Sequence, residues 1–115
     1  MNTDDLNLQE RKCTACTPET PPLKGEKLQQ YYDRLSDGWK LVDKHHLEKT
    51  YSFKNFRQAL EFTNKIGELS EEEGHHPEIF LTWGKVKLTV YTHAIDALSE
   101  NDFIWAAKAN GLFEE

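Results

Sequence analysis

The chain has 115 residues, 37% of them hydrophobic and 30% charged, with a formal net charge of −6 at neutral pH. That length fits one domain, and an acidic balance with scattered basic residues argues against a phosphate-tracking nucleic-acid surface or docking on anionic lipid. No apolar run approaches the ~20 residues a membrane span needs. The start, Met1-Asn2-Thr3-Asp4-Asp5, has neither the basic nor the apolar region of a secretory signal. The expected address is therefore cytoplasmic, with neither nucleic acid nor membrane as a partner.

Residues 1–22 are polar and end in Thr17-Pro18-Glu19-Thr20-Pro21-Pro22. Closely spaced prolines remove backbone donors and break regular structure, so this segment reads as a flexible or surface-draped lead. The domain proper is expected over 23–115. Within the lead, Cys13 and Cys16 form a lone C-x-x-C. Such a pair can chelate metal or form a redox disulfide, but no second Cys pair completes a zinc site and no strand precedes it. Reduced thiols are the expectation.

From Gly25 to Leu35, apolar Leu28, Tyr31, Tyr32 and Leu35 recur at helical spacing, and Asp37-Gly38 stops the helix. Trp39–Val42 and Leu47–Phe53 suit two strands joined by a turn at Asp43–His46. Asn55 can cap the next helix with Gln58 returning the bond, and Phe56, Ala59, Phe62, Thr63, Ile66 and Leu69 form its stripe. Gly74 ends it after Glu71-Glu72-Glu73. Three acids oppose the dipole at a helix C-terminus, which makes Glu71 a candidate for something other than solvation. Alternation around Gly84 predicts two more strands, with Lys85, Lys87, Thr89, Tyr91 and His93 on the polar side of the second. Ser99 and Asp102 form a capping box for a last helix that Gly111 closes. The order α-β-β-α-β-β-α predicts an α+β domain: a four-stranded antiparallel sheet with three helices packed on one face.

Four of the five histidines occur as adjacent pairs. His45-His46 falls in a hairpin turn with nothing apolar or acidic nearby to organise a site, and reads as solvated. His75-His76 follows a helix end and precedes Pro77, which fixes its own φ and pushes His76 toward extended backbone. Counting outward from Gly84, position 93 lands near positions 74–76, so His75, His76 and His93 should cluster at one end of the sheet. Three readings stay open at this point: polar residues finishing a sheet edge, three imidazole ligands for zinc, or acid–base groups with a pKa near ~6.5. The lack of a His-x-x-x-His or His-x-His pair favours proton transfer over metal.

The segment Glu71-x-x-x-His75-His76-Pro77, followed by Trp83, His93 and Asp102, resembles the signature of the pterin-4a-carbinolamine dehydratase family. The resemblance extends over about Leu23 to Leu112 and takes in Trp39, Tyr51-Ser52-Phe53-x-x-Phe56 and Leu98-Ser99. It implies the α+β fold read above, assembly as dimers or dimers of dimers, and dehydration of 4a-hydroxytetrahydropterin to quinonoid dihydropterin in support of an aromatic amino acid hydroxylase. It implies neither cofactor nor metal, the pterin being the substrate. His75 and His93 would act as acids toward the departing hydroxyl, while His76 would hold the pterin and accept the N5 proton. Gly74, Pro77, Tyr91, Thr92 and Ala94 would line the pterin, with Glu71 and Asp102 as motif members whose local roles are orienting a histidine and capping a helix. The chain departs from the family pattern at Gly74, Tyr91, Ala94 and Ala97.

Overall fold

A computed structural model describes residues 8, 11–14, 17–35 and 38–113. Its elements run α1 (Gly25–Arg34), β1 (Lys40–Val42), β2 (His46–Ser52), α2 (Phe56–Glu73), β3 (Glu78–Thr82), β4 (Lys85–Val90) and α3 (Glu100–Leu112), with a one-turn 3₁₀ helix at His93–Ile95 before α3. The strands form one antiparallel sheet in the order β1-β2-β4-β3, which is the α+β arrangement expected from the sequence. The 3₁₀ turn was not legible beforehand. Cys16 lies outside the described residues, so the C-x-x-C cannot be followed as a pair.

Period-2 alternation decides which side of the sheet is covered. Leu47, Tyr51, Val86, Leu88 and Val90 fall on one face and are buried under the helices. The opposite face carries Glu48, Thr50, Lys87 and Thr89, with Lys87 Nζ 3.5 Å from Glu48 Oε2. It is less uniformly polar than the alternation suggests, because Phe80 stands on it opposite Lys87 and is 62% exposed. Ile79 and Trp83 are also exposed, at the edge strand β3 and in its turn.

Asn55 caps α2 as expected, accepting from the Gln58 N–H at 2.8 Å, but Gln58 returns its bond to the Lys54 N–H at 3.2 Å. Buried positions Ala59, Phe62, Ile66 and Leu69 keep the predicted stripe, while Phe56, at its start, is exposed. Gly74 sits at φ 64°, the left-handed conformation that ends the helix and that residues with a Cβ adopt reluctantly.

The third helix has no solvent face over its first two turns: Asn101 through Ala107 are all buried. Tyr31 of α1 meets Phe103 edge-on, Trp39 meets Trp105 edge-on, and Lys108 Nζ lies 3.8 Å from Glu73 Oε2 of α2. A helix apolar nearly all round is one that other elements enclose. It runs one residue past Gly111, where the sequence suggested its end. The lead closes the remaining side. Leu8 is buried, Arg11 pairs with Glu100 at 2.8 Å, and Thr14 and Asn101 exchange two hydrogen bonds of 3.0 and 2.8 Å.

One polar hub sits within this packing. Asn110 Oδ1 accepts from the Tyr51 hydroxyl at 2.6 Å, Lys49 Nζ at 2.8 Å and the Trp39 indole N–H at 3.1 Å. Burial pushes the Tyr51 phenol well above its usual value, so it stays a donor. Asn110→Ala removes the acceptor that all three share, though Lys49 keeps its contact over the Tyr51 ring at 4.5 Å. With Tyr51 and Trp39 each losing a bond worth about 1–1.5 kcal/mol, we expect a loss of about 2–3 kcal/mol and a Tm lower by roughly 10 °C. Thermal denaturation measures it; a Tm within about 2 °C of the parent would show that water replaces the amide.

Candidate functional site

The end of the sheet where β4 finishes and β3 begins is where the histidines gather. Extending the β3–β4 register beyond Glu78↔Thr89 sets His76 beside Tyr91 and His75 beside Thr92. A shared partner supports this placement. Asp102, fully buried at the start of α3, accepts from His75 Nε2 at 2.6 Å through Oδ1 and from Thr92 Oγ1 at 2.7 Å through Oδ2. Its Oδ2 also takes the Ser99 backbone N–H at 2.8 Å, and the hydroxyls of Ser99 and Thr92 are 2.6 Å apart. Asp102 therefore does more than the capping expected of it. One carboxylate joins the helix end that presents His75, the strand end that presents Thr92 and the first turn of α3.

Each of the three imidazoles has its own support. His75 is 5% exposed, and its Nε2 is engaged by Asp102. His76 is exposed, and its Nε2 lies 2.6 Å from Glu71 Oε2 five residues back on α2. This contact accounts for the acid at the unfavourable end of the helix. Its neighbour Glu73 is also engaged, accepting the Cys13 N–H at 2.9 Å. His93 is exposed and opens the 3₁₀ turn, its ring centroid 4.3 Å from that of Tyr91. Among the described residues, no three His, Cys, Asp or Glu side chains are grouped as a metal set.

The other expected site residues divide between surface and interior. Gly74 and Ala94 are exposed, and Pro77 and Tyr91 are half-buried. Thr92 is wholly buried, and its backbone is spent internally on Ala97 and Ile95. It reaches a ligand only through Asp102 and the turn it anchors. A groove of about 710 Å³ between α2 and β3 is lined by Thr63, Gly67, Glu71, His76, Pro77 and Ile79 among others. That volume suits a small flat ligand. A second cavity, of about 500 Å³, is floored by Phe53, Phe62 and Phe113 at the opposite end of the sheet and contains no histidine. The groove is the better candidate because it holds His76 with its partner Glu71, although neither His75 nor His93 lines it.

Sequence reasoning missed two contributors. Ser99 was visible only as a cap, yet it completes the Asp102 network. The sequence reads His45 as solvated, yet its Nε2 bonds Asp96 Oδ1 at 2.8 Å and its ring lies 4.7 Å from Tyr91. An acid and an aromatic do surround it, both supplied from beyond β4 and so invisible to a local reading.

Comparison with known proteins shows the family and the fold. The family model described as pterin 4 alpha carbinolamine dehydratase matches residues 21–112. A protein of Alkaliphilus metalliredigens, named as a candidate pterin-4-alpha-carbinolamine dehydratase, is 52% identical over 90% of this chain and 94% of its own. One so named from Vibrio cholerae is 47% identical over 91% and 98%. Among solved structures, a transcriptional coactivator/pterin dehydratase from Brucella melitensis superposes with a TM-score of 0.74 at 29% identity, covering 80% of this chain and 98% of that one. A pterin dehydratase-like RuBisCO assembly factor of the alpha-carboxysome gives 0.57 at 27%, covering 65% and 88%.

The Asp102 network is open to direct test. Asp102→Asn keeps the volume but leaves one carbonyl oxygen for three donors, and we expect a loss of about 2–3 kcal/mol. Thr92→Val removes a single donor and should cost about 1 kcal/mol. Urea denaturation supplies both numbers. Equal stability of both variants and the parent would mean that the carboxylate organises nothing.

Proposed function

Because the chain belongs to the pterin-4a-carbinolamine dehydratase family, we propose that it eliminates water from a 4a-hydroxytetrahydropterin, giving the quinonoid dihydropterin. The observation that carries this reading is the set of three imidazoles at one sheet end, each held by a separate partner: Asp102, Glu71 and Tyr91. The reaction breaks the C4a–O bond and the N5–H bond and makes C4a=N5. A proton must reach the departing hydroxyl and another must leave N5, with no net change in protons or electrons. Imidazole suits both transfers near neutral pH, because it donates and accepts within the same range.

The two exposed rings are assigned the transfers. His93 protonates the hydroxyl, and His76 accepts the N5 proton while Glu71 stabilises the imidazolium that results. His75, nearly enclosed, contributes an edge to the floor of the site, and Asp102 fixes its tautomer. The pterin plane lies against Gly74, Pro77, Tyr91 and Ala94. Asp102 and Thr92 act from behind these groups, since both are fully buried. The resident chemistry is proton transfer by the chain itself, with no cofactor or metal in the scheme. A cytoplasmic setting beside an aromatic amino acid hydroxylase, which makes the carbinolamine, completes the reading. None of the described helices is long and apolar enough to cross a membrane. Two copies are proposed to associate, with exposed Ile79, Phe80 and Trp83 at the β3 edge as the apolar surface such an assembly would cover.

The two solved relatives named as a coactivator and an assembly factor supply the competing reading, a binding module without turnover. Carbinolamine generated in situ by an aromatic amino acid hydroxylase separates the two. We expect the protein to accelerate dihydropterin formation, with His93→Ala and His76→Ala each losing roughly 10²–10⁴-fold in kcat, the usual worth of a general acid or base. Glu71→Gln should lose less than either. Parent-like rates in both histidine variants would place the chemistry elsewhere, and no acceleration by the parent would favour the binding module.

A further inference from the structure

Among the described residues, three non-glycine residues have positive φ: Asp43 at 53°, Lys44 at 57° and Asp96 at 50°. Side chains with a Cβ adopt this region reluctantly, and such residues persist where surrounding contacts hold them. All three meet at one junction. Asp43 and Lys44 form the tip of the β1–β2 hairpin, closed by the His45 N–H on the Val42 carbonyl at 2.9 Å. Positive φ at both central positions matches the hairpin turn usually built with Asn-Gly, and here it is made without glycine. Asp96 ends the 3₁₀ turn that presents His93, donating its backbone N–H to the His93 carbonyl at 3.2 Å.

The contact across the junction is His45. Its Nε2 binds Asp96 Oδ1 at 2.8 Å, and its ring lies against Tyr91 with centroids 4.7 Å apart. Tyr91 in turn lies against His93, centroids 4.3 Å apart. The phenol ring thus contacts two imidazoles, one on the hairpin and one in the proposed site. On its other side His45 Nδ1 meets His46 Nδ1 at 3.1 Å, which requires one ring to donate and the other to accept. His46 Nε2 lies 4.0 Å from Glu48 Oε2. Both flanks of His45 are therefore held. The Asp96 carboxylate is 83% exposed, and an exposed ion pair stabilises little. Strained backbone on both sides of so weak a contact is poorly explained as a stability device. It is well explained as a way of placing a ring.

We propose that His45 is a positioning residue for His93: the hairpin tip fixes the His93 turn through Asp96 and the His93 ring through Tyr91. The consequence for turnover rests on the reading of His93 as the acid of the dehydration. The placement itself does not. The hairpin is remote in sequence from the histidine motif, so a change at its tip reaches the site only through Tyr91 and Asp96.

NMR of the imidazole ring signals, assigned by their loss in single-histidine variants, tests the placement without any assay. In His45→Ala the His93 ring signals should move and broaden while those of His75 stay where they are. His45→Gln keeps a donor for Asp96 without the ring, and should restore part of the effect. Asp96→Gly keeps the positive φ but removes the carboxylate, and serves if His45→Ala does not fold. In the carbinolamine assay, kcat of His45→Ala should fall roughly 10-fold with KM unchanged, as misplacement of a catalytic group produces. His93 signals that coincide with the parent's in both folded His45→Ala and Asp96→Gly would overturn the proposal. A parent protein with no dehydratase activity, but with His93 signals that respond to His45, would overturn the function reading and leave the positioning intact.

Discussion

A single buried carboxylate ties this fold to its site. Asp102 is wholly enclosed and takes donors from His75, Thr92 and Ser99. Burying a charge is costly unless hydrogen bonds replace the lost water, and here three do. The arrangement works only if the end of α2, the end of β4 and the start of α3 arrive at one point. The same contacts that compensate the charge therefore fix the geometry of the histidine end. Specificity of this kind comes from polar groups with few acceptable arrangements, where apolar packing tolerates many.

The remaining imidazoles are arranged on the opposite principle. His76 on Glu71 and His93 on Tyr91 are exposed, with Glu71 at the surface and Tyr91 half-buried. Exposed contacts orient a side chain with little energy and let it move. The site thus has an enclosed interior, made of His75, Asp102, Thr92 and Ser99, and an exposed rim. Proton exchange with a bulky bicyclic substrate needs groups that water and ligand can both reach, and the rim supplies them.

Much of this was readable from the sequence, for reasons that can be named. Element order and the antiparallel sheet followed from period-2 alternation about Gly84 and the stripe from Ala59 to Leu69, because burial enforces those periods. The gathering of His75 with the β4 end followed from counting across a hairpin whose register the alternation fixed. The capping pair Ser99 and Asp102 was legible because its spacing is local. What escaped was set by contacts distant in sequence. Asn110 as a hub for Trp39, Lys49 and Tyr51 depends on α3 lying under the sheet. His45 gains its partners from Tyr91 and Asp96, about fifty residues away and beyond three more strands. The near-complete enclosure of α3 also blurred its pattern, since a helix buried all round shows no amphipathic stripe. The lead at Arg11 to Thr14 reads as polar and irregular, yet its backbone is bound to Asn101 and Glu73. Composition reports on apolar burial and says little about main-chain hydrogen bonds.

That enclosed helix also bears on how the chain comes together. It is the last of the seven elements in chain order, yet α1, α2, the sheet and the lead all close upon it. During synthesis the earlier elements emerge first, and the apolar faces of α1, α2 and the sheet stay without their common partner until α3 appears. Intermediates with such surface uncovered are the ones that aggregate or recruit chaperones. The domain thus offers no stable half. Cooperative, late closure is the kinetic counterpart of a core built around its final segment.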